Sequence, residues 1–304
     1  MTDILAGSSV QSATREKPTA ASSSASSSTV SVASSAGDRH TPGRSERVRR
    51  GLTRAANGPW LRLLSPLALL AAWQVLSSRG VIPESKLAPP TQVFAAAKEL
   101  LATGELQEAL LVSLQRVAIG LTLGVTLAVT LGLLVGFFRV ADVAIDPPLQ
   151  MLRTVPFLGL IPLFVVWFGI GEEPKVYMVA LGVLFPLYLN LVSGIHGVEK
   201  KLIEAGRSLG LGRLGLARTV ILPGAMPSAL TGFRLSLGVA WLSLIVAEQI
   251  NADAGLGYLV MNARTYFRND IIVMGLVIYA CLGLLSDSIV RGLEAWLLRW
   301  RVNR

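Results

Sequence analysis

Between residues 111 and 138 the chain carries one charged side chain, Arg116. A helix of that length exceeds the roughly 30 Å thickness of a bilayer's hydrocarbon core. Five further runs have the same character, at about 60–77, 149–169, 176–193, 228–248 and 271–298. With 52% hydrophobic and only 15% charged residues, this composition suits a chain whose helices face lipid on their outer sides. Residues 58–304 are therefore expected to form an all-α, polytopic membrane domain with six transmembrane helices.

Charge sets the expected orientation. The formal net charge is +9, but the basic residues gather beside apolar segments, which fits a cytoplasmic-face bias and not nucleic acid. Arg44, Arg47, Arg49, Arg50 and Arg54 precede the first run. Arg139, then Lys200, Lys201, Arg207, Arg213 and Arg218, then Arg299, Arg301 and Arg304 fall on the same side if six spans alternate. Both termini are then cytoplasmic, in a bacterial plasma membrane. Residues 1–57 are Ser/Ala-rich and then basic, too poor in apolar residues for a core, and are expected to be a disordered tail. They lack the apolar stretch of a secretory signal.

Catalytic and metal chemistry find little support. The single cysteine, Cys281, lies in an apolar run, and His40 and His196 are the only histidines. No zinc or haem ligand set arises from that inventory, so neither a metal nor a cofactor is expected. No nucleophile and base fall together at membrane depth, which argues against a membrane-embedded enzyme. The absence of two related halves argues against a secondary transporter.

The informative polar stretch is 197–227. Val198, Leu202, Ala205, Gly206 and Leu209 recur at helical spacing, with Lys200, Lys201, Glu204 and Arg207 on other faces. Gly210 suits the left-handed turn that ends a helix. A second short helix is expected over 213–221, closed by Pro223 and Pro227. Elsewhere, Pro89-Pro90-Thr91 predicts an amphipathic helix over 92–101, and Gly120, Gly124, Gly132 and Gly136 mark one close-packing face.

Glu204-Ala205-Gly206, followed by Gly210 and then by Val220-Ile221-Leu222-Pro223, resembles the EAA loop of permease subunits of ABC importers, with Gly206 in place of a second Ala. The blocks QMLRTVPFLGLIPLFVVWFGIGEEPK and LIVAEQINADAGLGYLVMNAR are similar to the nitrate/sulfonate/taurine subfamily, above all to its aliphatic-sulfonate permeases; relatives carry taurine, nitrate, bicarbonate or pyrimidine precursors. The resemblance implies the type I importer permease fold. It also implies a homodimer, cytoplasmic ATP-binding subunits that dock on Glu204, Ala205, Gly206, Gly210, Leu222 and Pro223, and an extracytoplasmic substrate-binding protein met by Gly255, Leu256, Gly257 and Tyr258. With no G-x-x-x-x-G-K-[ST] loop in the sequence, ATP hydrolysis falls to the partner subunit. Polar residues within spans are costly in lipid, so Arg153, Arg116, Asn190 and Glu248 are the candidates for the translocation path. Arg153 leads because guanidinium matches an anion's oxygens; the competing role is anchoring of a helix end.

Overall fold

The computed structural model describes residues 59–300. The expected tail, its arginines Arg44 to Arg54, and Arg301 and Arg304 lie outside the described residues.

The described chain is all helical. In order come α1 (Pro59–Ser78), α2 (Pro90–Thr103), α3 (Glu105–Phe137), α4 (Arg139–Thr154), a 3-10 turn (Phe157–Leu160) and α5 (Ile161–Phe168). There follow α6 (Glu173–His196), α7 (Lys200–Ser208), α8 (Arg213–Leu216), a π turn (Ala217–Ile221), α9 (Leu222–Asn251), α10 (Leu256–Thr265) and α11 (Asn269–Leu297). Four stretches are long and apolar enough to cross a membrane: Glu105–Phe137, Glu173–His196, Arg213–Ile250 and Asn269–Leu297. The first passage is shorter, with an apolar stretch at Leu64–Ser78.

α6 is the central helix, buried along most of its length. One side of it meets the small-residue face of α3, as the glycine spacing predicts. A Cβ on Gly124 would lie 2.6 Å from the Ala180 carbonyl, and one on Gly132 would lie 2.7 Å from Leu191 Cδ2. The other side meets α9 through Gly194 against Ala225 and Gly232 against Asn190. Glycine on either flank brings backbones into contact and compensates for the missing hydrophobic drive between helices in lipid. Pro186 removes one donor from the α6 ladder, and one turn before it Ser236 on α9 donates to the Val183 carbonyl at 2.7 Å, a bond between the two helices.

The 197–221 segment lies at one end of this packing, here the loop end. The far end carries the 169–173 turn and the α9–α10 loop. There Arg268 binds Glu99 at 3.1 Å, and Asn269 donates to the Ser85 carbonyl at 2.6 Å, tying α2 and the segment before it to the start of α11. The helix expected over 92–101 is this α2, extended to Pro90–Thr103.

Two expectations need correction. The stretch 149–169 is not one continuous span. α4 begins at Arg139 and ends at Thr154, and Val155 turns to an extended conformation (φ −70°, ψ 128°) before Pro156. The proline ring disfavours helical backbone in the residue before it. The passage resumes as α5 only after the 3-10 turn, so the chain travels from loop end to far end on a broken helix. The helix beginning at Arg213 also fails to stop at Pro223 or Pro227. In the π turn the Leu222 N–H donates to the Ala217 carbonyl, one residue further back than in an α-helix. Pro223 follows directly as an early residue of α9, where a proline's missing N–H and fixed φ are tolerated.

Candidate functional site

At the loop end, α7 closes with a Schellman motif. Gly210 has φ 81°, its N–H donates to the Arg207 carbonyl at 2.9 Å, and the Leu211 N–H donates to Gly206 at 3.1 Å. The left-handed residue expected at Gly210 is present for the reason anticipated. Gly206 is buried; a Cβ there would lie 2.8 Å from Leu216 Cδ1, so α7 folds back closely on α8. Glu204, Ala205 and Arg207 are exposed, as are Leu202, Leu209 and Leu214. Leu209 is 82% exposed, far more than a leucine at a closed helix turn needs. Leu222 and Pro223 are half-buried at the root of α9. Between α7 and the ends of α6 and α9 lies a cavity of 820 Å³, lined among others by Ala205, Gly206, Leu211, Pro223 and Trp300.

At the far end, Arg116 and Glu248 meet. Arg116 is 4% exposed and Glu248 1%. Arg116 Nη1 donates to Glu248 Oε1 at 2.7 Å and to the Ala254 carbonyl at 2.6 Å. Its Nε and Nη2 donate to the two oxygens of Glu172 at 2.5 and 2.7 Å, a bidentate grip. Ser113 Oγ donates to Glu248 at 2.7 Å and accepts from the Leu256 N–H at 2.8 Å. The Gly257 N–H donates to Glu248 Oε2 at 2.8 Å, and the Tyr279 hydroxyl at 3.2 Å. Lys175, 4% exposed, donates to Glu172 at 3.0 Å. Two cations and two carboxylates thus balance in one network, with Arg116, Lys175 and Glu248 buried, as buried charge requires, and Glu172 exposed at its edge. The Arg116 hydrogen bonds hold the Glu172 carboxyl down at about 2, with Lys175 acting in the same direction.

The other path candidates lie apart from this network. Arg153 is exposed in the last turn of α4, beside the break at Val155. The Asn190 amide donates to the Pro186 carbonyl at 2.8 Å within α6, and its backbone carbonyl accepts from Ser228 at 2.7 Å, so it serves helix packing. Of residues 255–258, expected as a loop but forming the N-cap and first turn of α10, Gly255, Leu256 and Gly257 are buried against the Arg116 network, and only Tyr258 is exposed. Tyr258 borders a 310 Å³ hollow with Glu105, Glu108, Asp253 and Asn262.

Sequence reasoning missed Ser113, Glu172, Lys175 and Tyr279. Ser113 was legible as a neighbour one helical turn before Arg116. Glu172 and Lys175 read as surface charges of a turn, and nothing local reveals that Lys175 is buried.

A model of binding-protein-dependent transport system inner membrane components matches residues 120–299. Among curated proteins, one from Bacillus subtilis (strain 168), assigned as an aliphatic sulfonates transport permease, is 43% identical over 84% of this chain and 93% of its own length. Its counterpart from Escherichia coli (strain K12) is 45% identical over 83% and 94%. The taurine transport system permease protein of Escherichia coli (strain K12) is 33% identical over 76% and 86%. Among solved structures, an amino acid ABC transporter crystallised with histidines matches with a TM-score of 0.56 at 19% identity, over 66% of this chain and 97% of that one, which speaks to fold alone. This chain belongs to the inner membrane components of binding-protein-dependent transport systems, the permease subunits of ABC importers.

Proposed function

We propose that the chain forms the translocation path of an ATP-driven importer of small organic anions, with aliphatic sulfonates as cargo. The carrying observation is graded similarity: 43% and 45% identity to the two sulfonate-assigned permeases, against 33% to the taurine permease and 28% to a bicarbonate permease of Synechococcus elongatus. In this reading the loop end faces the cytoplasm, supported by Lys200, Lys201, Arg207, Arg213 and Arg218. An ATP-binding subunit docks on α7, where exposed Glu204 and Ala205 sit beside exposed Leu202, Leu209 and Leu214. Gly206, Gly210, Leu222 and Pro223 shape that surface from behind. A second copy completes the path, and a substrate-binding protein approaches the far end near Tyr258.

The test is uptake into proteoliposomes holding the permease, its ATP-binding subunit and its binding protein. Radiolabelled ethanesulfonate should enter only with ATP, and unlabelled ethanesulfonate should compete better than taurine, nitrate or bicarbonate. Preference for taurine would move the cargo assignment to that branch of the subfamily. Uptake undiminished without the ATP-binding subunit would overturn the importer mechanism.

A further inference from the structure

The far-end network joins five elements through one guanidinium. Arg116 on α3 uses Nε and Nη2 on Glu172, in the turn before α6, and Nη1 on Glu248 of α9 and on the Ala254 carbonyl. Glu248 then fixes the first turn of α10 by accepting from the Gly257 N–H, while Ser113 accepts from the Leu256 N–H. Tyr279 adds α11. Gly255, with φ 114°, lets the loop pass directly over this pair; a Cβ there would collide with Glu248 Oε1 and lie 2.6 Å from Arg116 Nη1.

We propose that Arg116 is the positioning residue of a latch that sets the 252–255 loop and the first turn of α10 only while Glu172 holds its guanidinium, so that the 169–173 turn and this segment are ordered together. The geometry supplies the coupling. A guanidinium is a rigid plane, so the direction of Nη1 is fixed by what Nε and Nη2 bind. The two carboxylates differ in the way a latch needs. The Glu248 side chain is fully buried, and separating it from Arg116 strands a charge without water. The Glu172 side chain is 61% exposed, and water replaces its partner when it leaves. Release therefore occurs on the Glu172 side, while Arg116 stays with Glu248. The purpose rests on the permease reading: the latch closes the far end at rest and opens when cargo arrives there.

Hydrogen–deuterium exchange tests the coupling on the full chain, co-purified with its ATP-binding subunit in nanodiscs. Neither the Leu256 nor the Gly257 amide touches Glu172, yet Glu172→Ala should speed the exchange of both about tenfold, the factor expected for loss of a charge-assisted bond. Glu172→Gln, which keeps one acceptor, should fall between parent and Ala. Glu173→Ala, outside the network, should change nothing at 256–257. Faster exchange confined to the 169–176 region, with 256–257 as in the parent, would overturn the latch. A second measurement reads its purpose: ATP hydrolysis without the delivery protein should rise in Glu172→Ala relative to the stimulated rate. An equal fall in both rates would mark a merely structural cluster. A parent complex with no ATP hydrolysis would count against the permease reading and leave the exchange result standing.

Discussion

Gly206 and Gly210 lie about one helical turn apart and answer different demands. Gly206 is short of space: a Cβ would press on Leu216 Cδ1, the movable tip of a side chain. Gly210 has open space around it but a φ of 81°. Gly206→Ala should therefore shift stability by less than about 1 kcal/mol, since the leucine yields and alanine gains helix propensity. Gly210→Ala should cost about 1–2 kcal/mol through backbone strain alone. Thermal unfolding of the purified chain checks both, and equal midpoints for the two variants would contradict this account. Glu172 makes a pH prediction. Its folded pKa of about 2 lies below the ordinary 4.5, so its stabilisation is complete above 4.5 and is lost as pH falls towards 2. Limited proteolysis at the 169–173 turn should be the same at pH 7 and pH 5, once corrected for protease activity. A turn that loosens by pH 5 would place the carboxyl outside the Arg116 grip.

At the scale of the element, α6 owes its position to glycines on its neighbours. Gly124 would set a Cβ against the Ala180 backbone, which has no rotamer with which to yield, whereas Gly238 on α9 has nothing within 4 Å. Gly124→Ala should cost about 1–3 kcal/mol by overpacking, and Gly238→Ala should be neutral or stabilising. Yield and melting temperature in detergent distinguish them; a neutral Gly124→Ala would mean that α3 and α6 do not pack as described. The glycine face was legible because helical spacing alone places residues at multiples of four along one side. The break in α4–α5 was less so. Pro156 was visible, but a proline within an apolar run reads equally as a kink or as an end.

For the whole molecule, packing separates the four candidates for the translocation path. Arg116 and Glu248, two of the four path candidates, neutralise each other inside the latch, and Asn190 bonds within its own helix. Arg153 remains, exposed beside the one broken passage among the described residues. Arg153→Lys should keep assembly and ATP hydrolysis but reduce flux of ethanesulfonate in the reconstituted transporter, and Arg153→Ala should reduce it further. Equal flux in parent and Lys variant would assign Arg153 to anchoring the helix end. What the sequence determined by itself were features with local causes. These are apolar runs matched to a bilayer, the glycine face of α3, the left-handed end of α7 at Gly210, and the motif that names the family. What only the tertiary structure decided were partners. Arg116 and Glu248 stand 132 positions apart, and whether each lines a passage or closes a network depends on which helix ends packing brings together. Lys175 is buried for the same reason: burial follows from neighbours that no local spacing specifies.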